Sequence, residues 1–230
     1  MFYNSIFDED GNFAEYAPTP AGKILMVIAA IALFATAMFI IKGRFKKETK
    51  KLSAMQLTFC AMAIALGTVL SNIKLFSFPT GGSVTLLFML VACLPGYWYG
   101  AAVGILSGIA SGILQMMFDP YIIHPVQMLT DYLFAFGALG LSGIFANSKN
   151  GLIKGYMVGV FGRFVFSVIS GWVFFGSYAW EGWGPFTYSV IYNAIYIFAE
   201  AAITIVILML PPVKKAMARI KAMAIHEENG

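Results

Sequence analysis

Residues 75–118 contain no charged side chain, and shorter uncharged, mostly apolar intervals cover 24–41, 52–73, 132–148, 164–180 and 182–199. A helix needs about 20 apolar residues to cross a bilayer. Each shorter interval therefore holds one span, and the longest holds two. Its internal break falls at Leu94-Pro95-Gly96, with Tyr97-Trp98-Tyr99 following as an interfacial aromatic belt. The spacing predicts helices near 23–41, 53–72, 83–98, 100–118, 124–145, 152–175 and 187–211. Across the 230 residues, 60% are apolar and 11% charged, where a soluble domain has about 45–50% and about 25%. So few charges cannot wet a soluble globule, which excludes a soluble enzyme, a disordered chain and a nucleic-acid-binding domain. The fold class is all-α: a polytopic membrane protein with a six-helix bundle (52–211), preceded by a segment with one extra N-terminal helix and a basic linker (1–51) and followed by a tail (212–230).

The cations set the expected threading. Twelve of the 15 lie in three segments: Lys42, Arg44, Lys46, Lys47, Lys50 and Lys51; Lys149 and Lys154; Lys214, Lys215, Arg219 and Lys221. Alternation of spans puts all three segments on one side, and cytoplasmic loops are enriched in Lys and Arg. Only Lys23 and Lys74 fall opposite, while Arg163 lies inside a helix. The expected topology in the cell membrane has the N-terminus outside and the C-terminus cytoplasmic. Asp8, Glu9, Asp10 and Glu15 precede the first span with no basic stretch, so this is not a cleavable signal peptide. The basic linker reads as a topology signal or an anionic-lipid contact. Cys60 and Cys93 both fall within spans, so no disulfide framework is indicated.

Gly100, Gly104, Gly108 and Gly112 recur every fourth residue, which strips one helix face of side chains and lets another backbone approach. Ala61 and Ala65 repeat the small-residue spacing on the second expected helix, near 53–72, facing either the bundle or a partner subunit. Ionisable residues within spans are costly and mark function by default. Arg163 and Glu200 lie equally far from the inner ends of consecutive helices and are expected to pair, chiefly as a structural feature. A second cluster is Tyr121, His124, Gln127, Asp131 and Tyr132, where 124, 127, 128 and 131 share a helix face. Tyr178, Trp180, Glu181 and Trp183 form the loop before the last helix, and Tyr188 and Asn193 follow within it. This collection is either an aromatic belt with a surface carboxylate or a pocket for a small cationic or heteroaromatic ligand. No catalytic, metal-binding or phosphate-loop motif is present, so no cofactor is expected, and active transport would draw its energy from a partner or an ion gradient.

Three segments carry a resemblance: Gly81-Gly82-Ser83-Val84-Thr85-Leu86, His124-Pro125-Val126-Gln127 through Asp131-Tyr132-Leu133-Phe134-Ala135-Phe136, and Ser177-Tyr178-Ala179-Trp180-Glu181-Gly182-Trp183. In order and spacing, they resemble the thiamine-specific substrate-binding (S) component of energy-coupling factor transporters, from about Leu52 to Leu210. The resemblance implies a six-helix module that binds thiamine from outside and works with a transmembrane coupling subunit and two cytoplasmic ATPases. By position it implies a pocket acid at Asp131 beside Tyr132, a loop tyrosine at Tyr121 and a last-helix pair at Tyr188 and Asn193, with Trp180 and Trp183 near the ligand. It further implies that Ala61 and Ala65 meet the coupling subunit. The chain departs from the family in having Asp131 where glutamate is frequent, Ser167 where members place histidine, and Phe175 where some carry tryptophan. A thiamine precursor is therefore an alternative ligand. Two other classes compete with this reading: a stand-alone ion-coupled carrier of a small cationic heteroaromatic, with Arg163 and Glu200 as its relay, and a seven-helix sensor.

Overall fold

The computed structural model describes residues 3–7, 13–19, 21, 28, 52–78, 81–119 and 121–225. The expected first span and basic linker (23–51), like His226, lie essentially outside the described residues. Near the N-terminus, β1 (Tyr3–Phe7) pairs antiparallel with β2 (Phe13–Pro18).

The six expected helices of the body are all present. They are α1 (Ala54–Ser71), α2 (Phe88–Tyr99), α3 (Ala101–Phe118), α4 (Pro125–Phe145), α5 (Gly151–Phe174) and α6 (Pro185–Met209). All but α2 are long and apolar enough to cross a membrane, and the chain is a polytopic helical membrane protein. Helix α1 opens on a capping box in which Ser53 and Gln56 satisfy each other's backbone N–H.

Helix α2 departs from the expectation at its start. Residues 83–85 form β4 (Ser83–Thr85), paired antiparallel with β3 (Lys74–Ser77), and Leu87 adopts a left-handed conformation (φ 58°) before the helix begins. The resulting 12-residue helix spans only about 18 Å at ~1.5 Å per residue, short of the ~30 Å hydrocarbon core. Non-helical backbone is tolerated at membrane depth only where protein covers it. Here Val84 and Thr85 of the non-helical stretch are buried, and Glu200 supplies acceptors for the incoming backbone.

The glycine stripe is a packing device, as its four-residue spacing leads one to expect. A Cβ at Gly104 would lie 2.5 Å from the Gly96 Cα, at Gly108 2.4 Å from the Phe136 carbonyl, and at Gly112 1.8 Å from the Tyr132 carbonyl. Helix α3 thus touches α2 and α4 backbone to backbone. Gly100 does not join the stripe: it turns the chain between α2 and α3 at φ 92°, with no neighbour near its missing side chain.

Helix α4 is not uniform. It begins as an α-turn (Pro125–Met128), widens into a π-turn (Leu129–Phe134), returns to α (Ala135–Leu139) and tightens to 3-10 (Gly140–Phe145). The segment read only as a tail contains α7 (Pro211–Ile225), set off from α6 by extended backbone at Leu210.

Candidate functional site

A cavity of about 240 Å³ opens between α3, α4, α5, α6 and the β3–β4 hairpin. The π-turn of α4 delivers Asp131 to it. Ala135 N–H donates to the Thr130 carbonyl, five residues back, so this turn holds one residue more than an α-turn would. Asp131 is bracketed from its own helix, its Oδ2 accepting from Gln127 Nε2 at 2.7 Å. Gln127 is almost fully buried; its Nε2 also donates to the Tyr121 carbonyl, and its Oε1 accepts from Ile123 N–H. The sequence-based face of Gln127 and Asp131 is therefore real, and it also fixes the preceding loop. The Tyr132 hydroxyl fixes the same loop from the next position, donating to the Asp119 carbonyl and accepting from Tyr121 N–H.

Helix α6 forms the aromatic wall. Tyr188, Tyr192 and Tyr196 line one face at intervals of four, with ring centroids 5.3 and 5.8 Å apart. Phe78 of the hairpin meets Tyr192 edge-on, and the Tyr192 hydroxyl accepts from Gly82 N–H. A Cβ at Gly82 would lie 2.7 Å from the Tyr196 ring, so only glycine lets the hairpin lie this close to the wall. Across the cavity Tyr121 stacks on Phe175 at 5.8 Å. Asn193 is anchored inside the wall: its Nδ2 donates to the Ser189 and Ser167 carbonyls, and its Oδ1 accepts from the Tyr196 hydroxyl at 2.6 Å.

Of the residues singled out from sequence, Tyr121, Gln127, Asp131, Tyr132, Arg163, Ser167, Phe175, Tyr188 and Asn193 all line this cavity. Among the expected ligand contacts, His124, Trp180 and Trp183 do not. His124 caps α4, its Nδ1 accepting from Val126 N–H, and its ring stacks on Phe174. Trp180 and Trp183 are 43% and 41% exposed and meet edge-on at the rim, where Trp180 also touches Tyr188.

The expected Arg163–Glu200 ion pair is not formed, and this reading is corrected. Glu200 accepts from Thr85 N–H, Thr85 Oγ1 and Met89 N–H, which satisfies the frayed start of α2. The Arg163 guanidinium turns instead over the rings of Phe136 (4.8 Å) and Phe88 (5.5 Å). Its Nε and Nη1 are buried with no hydrogen-bond partner among the described residues. Matching depth brought the two residues to the same level, but the hairpin, unseen in the sequence, supplied Glu200 with donors of its own.

Sequence reasoning missed Tyr192, Tyr196, Phe136 and the rim pair Lys74–Asp119, whose side chains form an ion pair at the cavity mouth. The spacing of Tyr188, Tyr192 and Tyr196 was a usable signal. Ala61 and Ala65 are exposed on the outer face of α1, away from the cavity.

This arrangement suits a flat, cationic, nitrogen-rich ligand: aromatic rings on two walls, an inner carboxylate at Asp131, and a guanidinium with unpaired donors. Known proteins point the same way. A thiamine transporter from Bacillus subtilis is 34% identical over 148 residues, covering 58% of this chain and 77% of the relative. A second, from Lacticaseibacillus paracasei, is 27% identical over 197 residues, or 80% of this chain and 84% of that one. The structure of ThiT from Listeria monocytogenes superposes with a TM-score of 0.58 at 24% identity, over 68% of this chain and 94% of that one, which establishes a shared fold. The model of the thiamine transporter protein family (Thia_YuaJ), a family of transport proteins rather than enzymes, matches residues 57–220, and this chain belongs to that family.

Proposed function

We propose that this chain is the membrane-embedded capture subunit for thiamine, with the cavity between α4 and α6 as its binding site and partner subunits supplying ATP-driven release. The observation that carries the reading is a carboxylate, Asp131, held by Gln127 between ring-lined walls, while the other cavity acid, Asp119, is paired with Lys74 at the mouth. Thiamine combines an aminopyrimidine, which a carboxylate recognises by hydrogen bonding, with a cationic thiazolium that favours aromatic faces. Tyrosines of α6 and the Tyr121–Phe175 stack sandwich the heterocycles, and the free Nε and Nη1 of Arg163 take an acceptor on the ligand tail. Asn193 acts by holding Tyr196 in place, because its own polar atoms are already engaged. The departures at Asp131, Ser167 and Phe175 keep a thiamine precursor as the competing ligand.

Titration of the purified protein, followed by tryptophan fluorescence, tests the site. Asp131→Ala should weaken thiamine binding by roughly 100-fold or more, as expected for losing a charged hydrogen-bond partner in a desolvated site. Unchanged affinity would remove Asp131 from the site.

Delivery would pass through a transmembrane coupling subunit and two cytoplasmic ATPases, with the N-terminus outside and the C-terminus cytoplasmic. Support for a partner surface comes from Ala61 and Ala65, which lie exposed on α1 where a second helix can approach closely. The competing reading, a stand-alone carrier with Arg163 and Glu200 as its coupling-ion relay, has less support. The two side chains form no ion pair, and Glu200 already accepts from three donors that a coupling ion would have to displace.

A further inference from the structure

Helix α7 has no part in the cavity, and its position gives it a separate use. Extended backbone at Leu210 ends the spanning helix, and α7 then runs across one end of the bundle. Val213, Met217 and Ile220 pack on the main core and Ala224 is buried in it. Two side-chain bonds pin the helix from outside its own turn. The Tyr99 hydroxyl donates to the Ala224 carbonyl, and Lys221 Nζ donates to the Ala146 carbonyl while sitting 3.9 Å from the centre of the Tyr97 ring. Tyr97, Tyr99 and Ala146 mark the ends of α2 and α4, so α7 lies at the level where those spans leave the membrane.

The opposite face of α7 exposes Lys214, Lys215 and Arg219. Lys215 and Arg219, four residues apart, stack on one side of the helix. Exposed Lys149 and Lys154 lie at the same end of the bundle, at the start of α5. The acids of the described helical body are Asp119, Asp131, Glu181 and Glu200. The first three lie towards the opposite end and Glu200 is buried mid-bundle, so none balances these cations. A basic face fixed at the depth of lipid headgroups complements one surface in particular.

We propose that the Lys214–Lys215–Arg219 face of α7 is a docking site for anionic lipid headgroups, of the phosphatidylglycerol type, that seats this end of the bundle against the leaflet. Each cation near an anionic surface favours association by about 1 kcal/mol, or roughly fivefold. Three partly hydrated cations should therefore enrich anionic over zwitterionic lipid by about tenfold or more.

Native mass spectrometry of the full-length protein, released from micelles containing equimolar phosphatidylglycerol and phosphatidylcholine, reads this ratio directly. Wild type should carry phosphatidylglycerol adducts in excess. The Lys214→Gln/Lys215→Gln/Arg219→Gln variant should fall to near parity while keeping its thiamine titration. The charge-conserving Lys214→Arg/Lys215→Arg/Arg219→Lys variant should keep the excess, which separates charge from helix integrity. Equal adduct ratios in wild type and the Gln variant would overturn the proposal. Displacement of the lipid by glycerol 3-phosphate would reassign the face to a soluble phosphate, and displacement by polyglutamate at matched charge would reassign it to an acidic protein; either overturns the lipid assignment.

Discussion

Gly112 and Gly67 offer the sharpest test of how this bundle is held together, because one methyl group should have opposite effects at the two positions. At Gly112 the new Cβ would lie 1.8 Å from the Tyr132 carbonyl oxygen, where ordinary contact begins at 3.4 Å. That oxygen is backbone and cannot rotate away, so α3 and α4 must move apart along their shared seam. Overpacking costs about 1–3 kcal/mol, and a backbone clash belongs near the upper figure. At Gly67 the nearest atoms are ring carbons of Phe88 at 3.6 Å, so the methyl fits and gains the helix propensity that glycine lacks, roughly 0.5–1 kcal/mol. For a chain of this length, 1 kcal/mol moves Tm by about 2–4 °C. Gly112→Ala should therefore lose roughly 6–12 °C and Gly67→Ala should gain about 1–4 °C. Cys60 and Cys93 are free and buried, so a thiol-reactive fluorophore reports unfolding without any added label. Separating α3 from α4 also displaces Tyr132 and its neighbour Asp131, so Gly112→Ala should weaken thiamine binding below its Tm. A Gly112→Ala protein that melts within about 2 °C of wild type and binds normally would refute the backbone-contact account of the seam.

Other expectations follow from the same contacts. Glu200→Ala strands three buried donors at the start of α2 and should cost about 3–5 kcal/mol in thermal stability, whereas Arg163→Gln, which breaks no hydrogen bond among the described residues, should cost less stability and more thiamine affinity. A larger stability loss for Arg163→Gln would restore the ion pair that the geometry denies. Lys74→Gln removes a rim ion pair whose side chains are 34% and 47% exposed, so the loss of stability should stay within about 1 kcal/mol and vanish at high salt. Replacing Ala61 and Ala65 by phenylalanine should leave thiamine titration intact while abolishing uptake by whole cells; retained uptake would move the partner surface elsewhere.

The helices of the body were legible because charge is excluded from hydrocarbon, and the glycine stripe because its period matches the helix. The Gln127–Asp131 contact was legible for the same reason, being a neighbour relation within one helix. What escaped the sequence depends on partners far along the chain. Thr85 and Met89 meet Glu200 more than a hundred residues later, and that meeting decides where α2 begins. His124 looked like a ligand residue because it shares a face with Gln127, yet the start of a helix needs an acceptor and the imidazole provides it. Arg163 was readable as costly but not in its orientation, which the rings of Phe88 and Phe136 set.

The surplus residue in the π-turn of α4 works as a phase shifter. Upstream of it, Pro125–Met128 keep one helical phase; downstream, Ala135–Leu139 keep another, locked to α3 through the glycine seam. Excising a single residue between Leu129 and Phe134 would restore the ordinary hydrogen-bond ladder and turn everything upstream by about 100° relative to that seam. Gln127 and the loop it holds would turn away from the cavity walls on α5 and α6, and the carboxylate would lose its present aim. On the proposed binding mode the shortened helix would be the better helix and the poorer receptor, the locally imperfect turn being what points the Asp131 carboxylate into the cavity.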